Sequence, residues 1–141
     1  MEEKNIVLVV DDDTSNLMEL THILRADYKV YAVRDGVAAL KNANEYLPDV
    51  ILLDVIMPNM SGFEVITELK KSEKTKEIPV IFITGMKDSV DEIEGLTLGA
   101  VDYIRKPFNS AIVKFKINQQ IEIFNLRRDL KNALAALESK K

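Results

Sequence analysis

Ile6-Val7-Leu8-Val9-Val10-Asp11-Asp12 and Val50-Ile51-Leu52-Leu53-Asp54 share one pattern, an apolar run that stops at carboxylate. Each run reads as a buried strand, and a strand covered on both faces is continuously apolar. If the two strands are parallel neighbours, their ends bring Asp11, Asp12 and Asp54 into one small pocket. Crowded carboxylates repel, so such a pocket calls for a cation. Mg²⁺ suits all-oxygen ligands and keeps part of its water shell. A metal held among carboxylates in turn invites phosphate chemistry.

Outward from these two runs the chain alternates strand and helix. A helix over about 15–26 follows the first strand, with Asp13, Thr14 and Ser15 as capping oxygens and Leu17, Leu20, Ile23 and Leu24 at helical spacing. A strand near 28–33 comes next. Asp35-Gly36 opens a helix carrying Val37, Leu40, Ala43 and Leu47, closed by Pro48. After the 49–53 strand, Ser61-Gly62 leads into a helix over 62–71. Val80-Ile81-Phe82-Ile83 is a strand ending at Thr84-Gly85, and a weaker helix spans about 88–97. A short strand over 101–105 ends at Lys106-Pro107, and a last helix starts near 109. Five β-α repeats predict a parallel sheet with helices on both faces. Ligands of such sheets bind beyond the carboxyl ends of the strands. Asp11, Asp12, Asp54, Thr84 and Lys106 all fall there.

Composition bounds the rest. The chain of 141 residues suits one compact domain. A net charge of −4 gives no field for nucleic acid or membrane. The lack of cysteine excludes disulfides, thiolate metal sites and cysteine catalysis, and fits a cytoplasmic protein. No apolar run approaches a membrane span, and Met1-Glu2-Glu3-Lys4 does not open a signal peptide.

Asp54 is the candidate nucleophile, because a carboxylate can attack phosphorus to form an acyl phosphate. Lys106 would add positive charge and Thr84 a hydroxyl donor. The Lys106–Pro107 bond is a candidate cis peptide, since X-Pro is the common cis site.

Val9-Val10-Asp11-Asp12-Asp13, Asp54-Val55-Ile56-Met57-Pro58-Asn59-Met60-Ser61-Gly62, Ile83-Thr84-Gly85, Gly99-Ala100 and Tyr103-Ile104-Arg105-Lys106-Pro107-Phe108 together resemble the receiver domain of bacterial response regulators. The resemblance covers about residues 4–124. It implies an α/β, flavodoxin-like (βα)5 parallel sheet of order 2-1-3-4-5, here with an extended last helix. It implies that Asp54 accepts a phosphoryl group from a sensor histidine kinase or phosphotransfer protein. It implies that Asp12, Asp54 and the backbone carbonyl of Ile56 contact Mg²⁺, with Asp11 acting largely through water. Thr84 and Lys106 would bind phosphoryl oxygens, and Tyr103 would move inward as Thr84 moves toward the phosphoryl group. Gly85 would leave space for that ring. The two positions that tune dephosphorylation in the family hold Ile56 and Met86, and neither side chain can hydrogen-bond an attacking water. Slow loss of phosphate is the expectation.

Other residues have plainer readings. Asp13 caps the first helix, His22 lies on the surface or a partner rim, and Met57 and Met60 pack around the turn after Asp54. The Lys70, Lys71, Glu73, Lys74, Lys76, Glu77 cluster is mixed in sign and reads as a solvated loop. The last helix lacks Gly and Pro from about 110 to 138. Val113, Ile117, Ile121 and Phe124 form a stripe that should pack on the sheet. Ile123, Leu126, Leu130, Ala133 and Leu137 follow the 3-4-3-4 spacing of a coiled-coil seam. A receiver domain over 1–124, a helical extension over 125–141 and a parallel homodimer follow as expectations. The tail has no DNA-reading motif. Its sequence is similar to receiver tails that precede cyclic-dinucleotide enzymes or related signalling modules. An aspartyl-phosphate phosphatase would need a second acid/base carboxylate near the nucleophile and a substrate cap, but Asp54 is followed by Val55-Ile56 with no acid two residues on, and no insertion could form a cap. A phosphate-independent dimerising scaffold is the remaining alternative.

Overall fold

The computed structural model describes residues 4–85 and 95–140. Five parallel strands form one sheet: β1 (Ile6–Val10), β2 (Lys29–Val33), β3 (Val50–Asp54), β4 (Val80–Thr84) and β5 (Asp102–Arg105). Their order is β2-β1-β3-β4-β5, and each neighbouring pair is parallel. The helices are α1 (Thr14–Leu24), α2 (Gly36–Tyr46), α3 (Gly62–Lys71) and a last helix, α4 (Ser110–Ser139). The expected helix over 88–97 falls mostly outside the described residues, and Gly95–Thr97 are helical.

Period-two alternation along each strand separates two cores. Leu8, Val10, Ile51, Leu53, Val80 and Phe82 face α2 and α3. Val7, Val9, Val50, Leu52, Ile81 and Ile83 face α1 and α4. β3 and β4 are buried at every position, which explains why their sequences show no polar alternation. Burying one such aliphatic side chain is worth roughly 1.5–3 kcal/mol.

α1 begins as its cap predicts. The Asp13 carboxylate accepts from the backbone N–H groups of Ser15 (2.8 Å) and Asn16 (3.4 Å). Its buried face is Leu17, Leu20 and Leu24, and His22 is exposed. α2 corrects the sequence reading. Its buried residues are Gly36, Ala39 and Ala43, while Val37 is 68% exposed and Leu47 48% exposed. Ala43 and the partly buried Leu40 follow the expected stripe, whereas Val37 and Leu47 do not. The residues that let α2 approach the sheet are small, and Met60 and Val65 fill the space over Gly36. Leu47 takes a left-handed conformation (φ 47°) as the C-cap of α2, so it no longer follows the helical face.

The α3 N-terminus is fixed by a close backbone approach. The Gly62 N–H donates to the Val55 carbonyl at 2.8 Å. A Cβ at residue 62 would stand 2.9 Å from the Val55 Cα and press on the Asp54 carbonyl. Ser61 caps the helix through Glu64 N–H at 3.2 Å. Gly62→Ala is therefore expected to lower stability by about 1–3 kcal/mol, the usual scale of overpacking. Gly85→Ala is the control, because a Cβ there meets nothing within 4 Å among the described residues. Urea denaturation midpoints check both; equal midpoints for the two variants would count against the contact.

Candidate functional site

Strand register assembles the site. Val10 pairs with Leu53, so Asp11, next along β1, stands beside Asp54, the last residue of β3. Asp54 pairs with Ile83, and Thr84 pairs with Arg105. The Lys106 N–H donates to the Thr84 carbonyl at 2.9 Å, which extends the ladder one residue past β5. The Lys106–Pro107 peptide bond is cis. Ligand-capable oxygens of Asp11, Asp12 and Asp54 all lie within 4.8 Å of one another.

Burial makes this arrangement electrostatically tense. Asp11 is 0% and Asp54 4% exposed, and Asp12 is the more open of the three. Asp11 is well satisfied: it accepts from Asp13 N–H (2.9 Å) and the Asn16 side-chain amide (3.1 Å). Among the described residues Asp54 accepts one weak bond, from Ile56 N–H at 3.3 Å. Lys106 Nζ sits 3.6 Å from both Asp11 and Asp54. At that distance it acts as a shared charge more than as a hydrogen-bond donor. Burial, and then the Asp11 charge, push the Asp54 carboxyl up to about 7. The Thr84 hydroxyl is buried and has no hydrogen-bond partner among the described residues. With one lysine for three carboxylates the pocket is short of positive charge, and Thr84 lacks an acceptor among the described residues. A hard cation would supply the first and an anionic oxygen the second, so the donor set fits magnesium with a phosphoryl group.

The turn after β3 closes the pocket's rim. Val55 N–H donates to the Ile83 carbonyl at 3.2 Å, and the Ile56 N–H bond to Asp54 holds that peptide beside the carboxylates. The Ile56 side chain is 72% exposed, and Met57 and Val55 are buried in the core. Met86 lies outside the described residues.

Tyr103 pairs with Phe82 on the neighbouring strand, which places it on the same face of the sheet as Thr84. It is half-buried. Two groups that sequence reasoning missed act here. Lys116 Nζ, from α4, donates to the Tyr103 carbonyl (2.8 Å) and pairs with Asp102 (3.1 Å), 5.0 Å from the Tyr103 ring centroid. Asn16 fixes Asp11. Neither carries a local sequence signal, since the first contact spans 13 residues and the second depends on the turn into α1.

Comparison with known proteins gives the site its context. A family model described as "response regulator receiver domain" matches residues 7–118. The chain belongs to that family. A probable cyclic di-GMP phosphodiesterase of Vibrio cholerae is 40% identical over 116 residues, covering 82% of this receiver chain and 26% of that protein. The response regulator PleD of Caulobacter vibrioides is 44% identical over 108 residues, covering 76% of this chain and 24% of PleD. The chain thus spans about a quarter of the length of these relatives. The receiver domain of the sensor histidine kinase PA1611 from Pseudomonas aeruginosa superimposes with a TM-score of 0.79 at 28% identity, covering 84% of this chain and 98% of that one. That structure holds a magnesium ion in its active-site cleft. The acidic pocket of this receiver is typical of such a magnesium site. No helix among the described residues is long and apolar enough to cross a membrane.

The raised Asp54 carboxyl has a signed consequence for stability. Its folded pKa lies above the unfolded value, so the folded state favours the protonated form. Stability from this group is fully present below the unfolded value, near 4, and is lost as pH rises toward about 7. Without Mg²⁺, Asp54→Asn should be more stable than the parent at pH 8, by on the order of 1 kcal/mol. The gap should shrink as pH falls to 5. Adding Mg²⁺ should raise the parent's melting temperature more than the variant's. Parallel stability-versus-pH curves would sink the assignment.

Proposed function

We propose that this receiver is a phosphoacceptor switch of a two-component phosphorelay, charged at Asp54 by a sensor histidine kinase or phosphotransfer protein. One observation carries the reading: a buried, under-satisfied Asp54 shares Lys106 with Asp11 beside the unpartnered Thr84 hydroxyl. An Asp54 carboxylate oxygen attacks phosphorus, a P–O bond forms, and the P–N bond of the phosphohistidine breaks with its electron pair leaving on the imidazole. Lys106 offsets the charge of the incoming group, and Thr84 donates to a phosphoryl oxygen. Asp12, Asp54 and the Ile56 carbonyl would hold Mg²⁺ directly, with Asp11 acting through water. Bound there, the ion supplies the positive charge that keeps Asp54 ionised and lets two anions meet.

Movement of Thr84 toward the phosphoryl group would draw Tyr103 inward along the face they share. Room for it is suggested at Gly85, where a Cβ would meet nothing within 4 Å among the described residues. Such a switch moves only as far as phosphate distinguishes its two states. We assign the receiver body to residues 1–124 and a helical extension to 125–141, and place the protein in the cytoplasm. Leu126, Leu130 and Leu137 are 62–69% exposed on the extension, which supports a parallel homodimer through that stripe. The activity is signalling, and the only enzymatic component would be self-phosphorylation from a phosphodonor and slow self-dephosphorylation.

Incubation with Mg²⁺ and a small phosphodonor should add one phosphoryl mass to the parent and none to Asp54→Asn. Omitting Mg²⁺ should abolish the gain. Light scattering on the same samples should show a dimer that Leu130→Lys weakens without changing the mass result. No phosphoryl gain by folded, Mg²⁺-binding protein would refute the acceptor role and leave the scaffold reading.

Dephosphorylation gives a separate check. The exposed Ile56 side chain offers nothing to orient water. Ile56→Asn should speed phosphate loss about 2- to 12-fold, the rate equivalent of one ~0.5–1.5 kcal/mol hydrogen bond. An unchanged decay of the phosphorylated mass would exclude a role for this position.

A further inference from the structure

A second cavity opens at the other end of the sheet, away from the carboxylates. It is a cleft of about 500 Å³ between the amino ends of β4 and β5, the α3–β4 connection and α4. Its apolar wall includes Pro79, Val101, Ile123 and Phe124. Its polar groups are Lys70, Lys76, Glu77, Gln120 and Arg127.

Three features make it more than a surface dent. Gln120 lines the cleft at only 9% exposure, and its side-chain amide has no hydrogen-bond partner among the described residues. That amide is not among the fully buried polar groups, so it keeps access to water in the cleft and can exchange it for a polar edge of a ligand. Lys70, expected in a solvated loop, is half-buried instead. Its Nζ donates to the Lys76 carbonyl at 3.0 Å, and its stem lies over Gly99, whose added Cβ would come 3.0 Å from Lys70 Cε. Gly99 has φ +110°, so that approach depends on glycine. Burial pulls the Lys70 ammonium below its usual range, and Glu77 partly offsets that. Arg127 stands on the opposite wall with no ion pair or hydrogen bond among the described residues. Lys76 is already paired with Glu73 at 3.0 Å. The unpaired positive charge is therefore that of Lys70 and Arg127, moderated by Glu77.

We propose that this cleft binds a small organic anion, with its phosphate or carboxylate between Lys70 and Arg127, a polar edge on the Gln120 amide and a flat apolar body against Phe124 and Ile123. Arg127 offers a planar fork suited to either anion. The volume lies in the range of small-molecule sites, with the expected mixture of apolar wall and few polar groups. Such a ligand would join the receiver body, through Lys70 and Pro79, to α4 where the helix leaves the body. It would act as a second input, independent of Asp54, on the direction of the extension.

The test uses the full chain in Mg²⁺-free buffer, titrated with adenosine 5′-monophosphate and separately with inorganic phosphate. The readout is NMR of the Gln120 side-chain amide, the Arg127 Nε–H and the surrounding backbone. The nucleotide should give saturable shifts at these signals, and inorganic phosphate should bind at least about tenfold more weakly for want of the apolar contact. Arg127→Ala, on the exposed helix, should weaken nucleotide binding about tenfold or more, as loss of a charge-assisted bond does. Gln120→Leu should weaken it with the fold intact by circular dichroism. Absence of saturation by ~10 mM, which is weaker than about −3 kcal/mol, would overturn the proposal. So would equal binding of inorganic phosphate, shifts confined to Thr84 and Lys106, or unchanged affinity in Arg127→Ala.

Discussion

Everything at the carboxyl edge of this sheet follows from two carboxylates that the β1–β3 register forces together. Asp11 and Asp54 are both buried, and one lysine at 3.6 Å serves them both. Asp11 escapes the tension by accepting from Asp13 and Asn16. Asp54 has no such relief, and its carboxyl rises to about 7. The cost is carried by strands whose every apolar residue is buried in one of two cores. Stability made by aliphatic packing in the middle of the sheet sustains an unfavourable charge arrangement at its rim, as active sites commonly require.

The parts legible in the sequence are those where one physical cause dominates. A parallel strand covered on both faces must be apolar throughout, so β1, β3 and β4 announce themselves and their ends locate Asp11, Asp54 and Thr84. The cap of α1 was equally plain, because Asp13 had orphan N–H groups to serve. On α2 the buried Ala43 is legible, but Gly36 and Ala39 are not, because they contribute closeness of approach, which a count of large apolar residues does not register. The Lys70–Glu77 stretch was misread for a different reason. Lys71 and Lys76 do behave as solvated, forming exposed pairs with Glu68 and Glu73. Lys70 turns inward because Thr75 and the Lys76 carbonyl organise the connection and Gly99 makes room, and these residues meet only after folding.

The last helix shows where the body's support ends. Val113, Ile117 and Ile121 are buried at successive i+4 positions, as their stripe predicts. Phe124 and Ile123 are half-buried and line the lower cleft, so the helix loses its contacts gradually. The exposed leucines begin at Leu126, and Leu134, at 52% exposed, widens the stripe beyond the expected seam. A 30-residue helix is about 45 Å long, and its residues 126–139 are all exposed. The homodimer proposed above would cover these leucines.

Between the acidic pocket and that extension, the structure offers a short mechanical connection. Thr84 and Tyr103 share one face of adjacent strands, and the carbonyl of Tyr103 is held by Lys116 on α4. Lys116 also pairs with Asp102, so any shift of β5 tugs on the helix at a charged, half-buried anchor. Spatial continuity does not by itself establish coupling, which requires an element with two discrete arrangements that both ends bias. The aromatic ring supplies a candidate for that element, since Lys116 and Arg105 lie 5.0 Å and 5.4 Å from its centroid in the position seen here. Moving the ring inward would give up both cation–π contacts, each worth about 0.5–1 kcal/mol at exposed sites. Contacts between Thr84 and the phosphoryl oxygens must exceed that loss for the ring to move. In the proposed switch, a balance set by differences this small would let one phosphoryl group shift β5 and, through Lys116, the long helix.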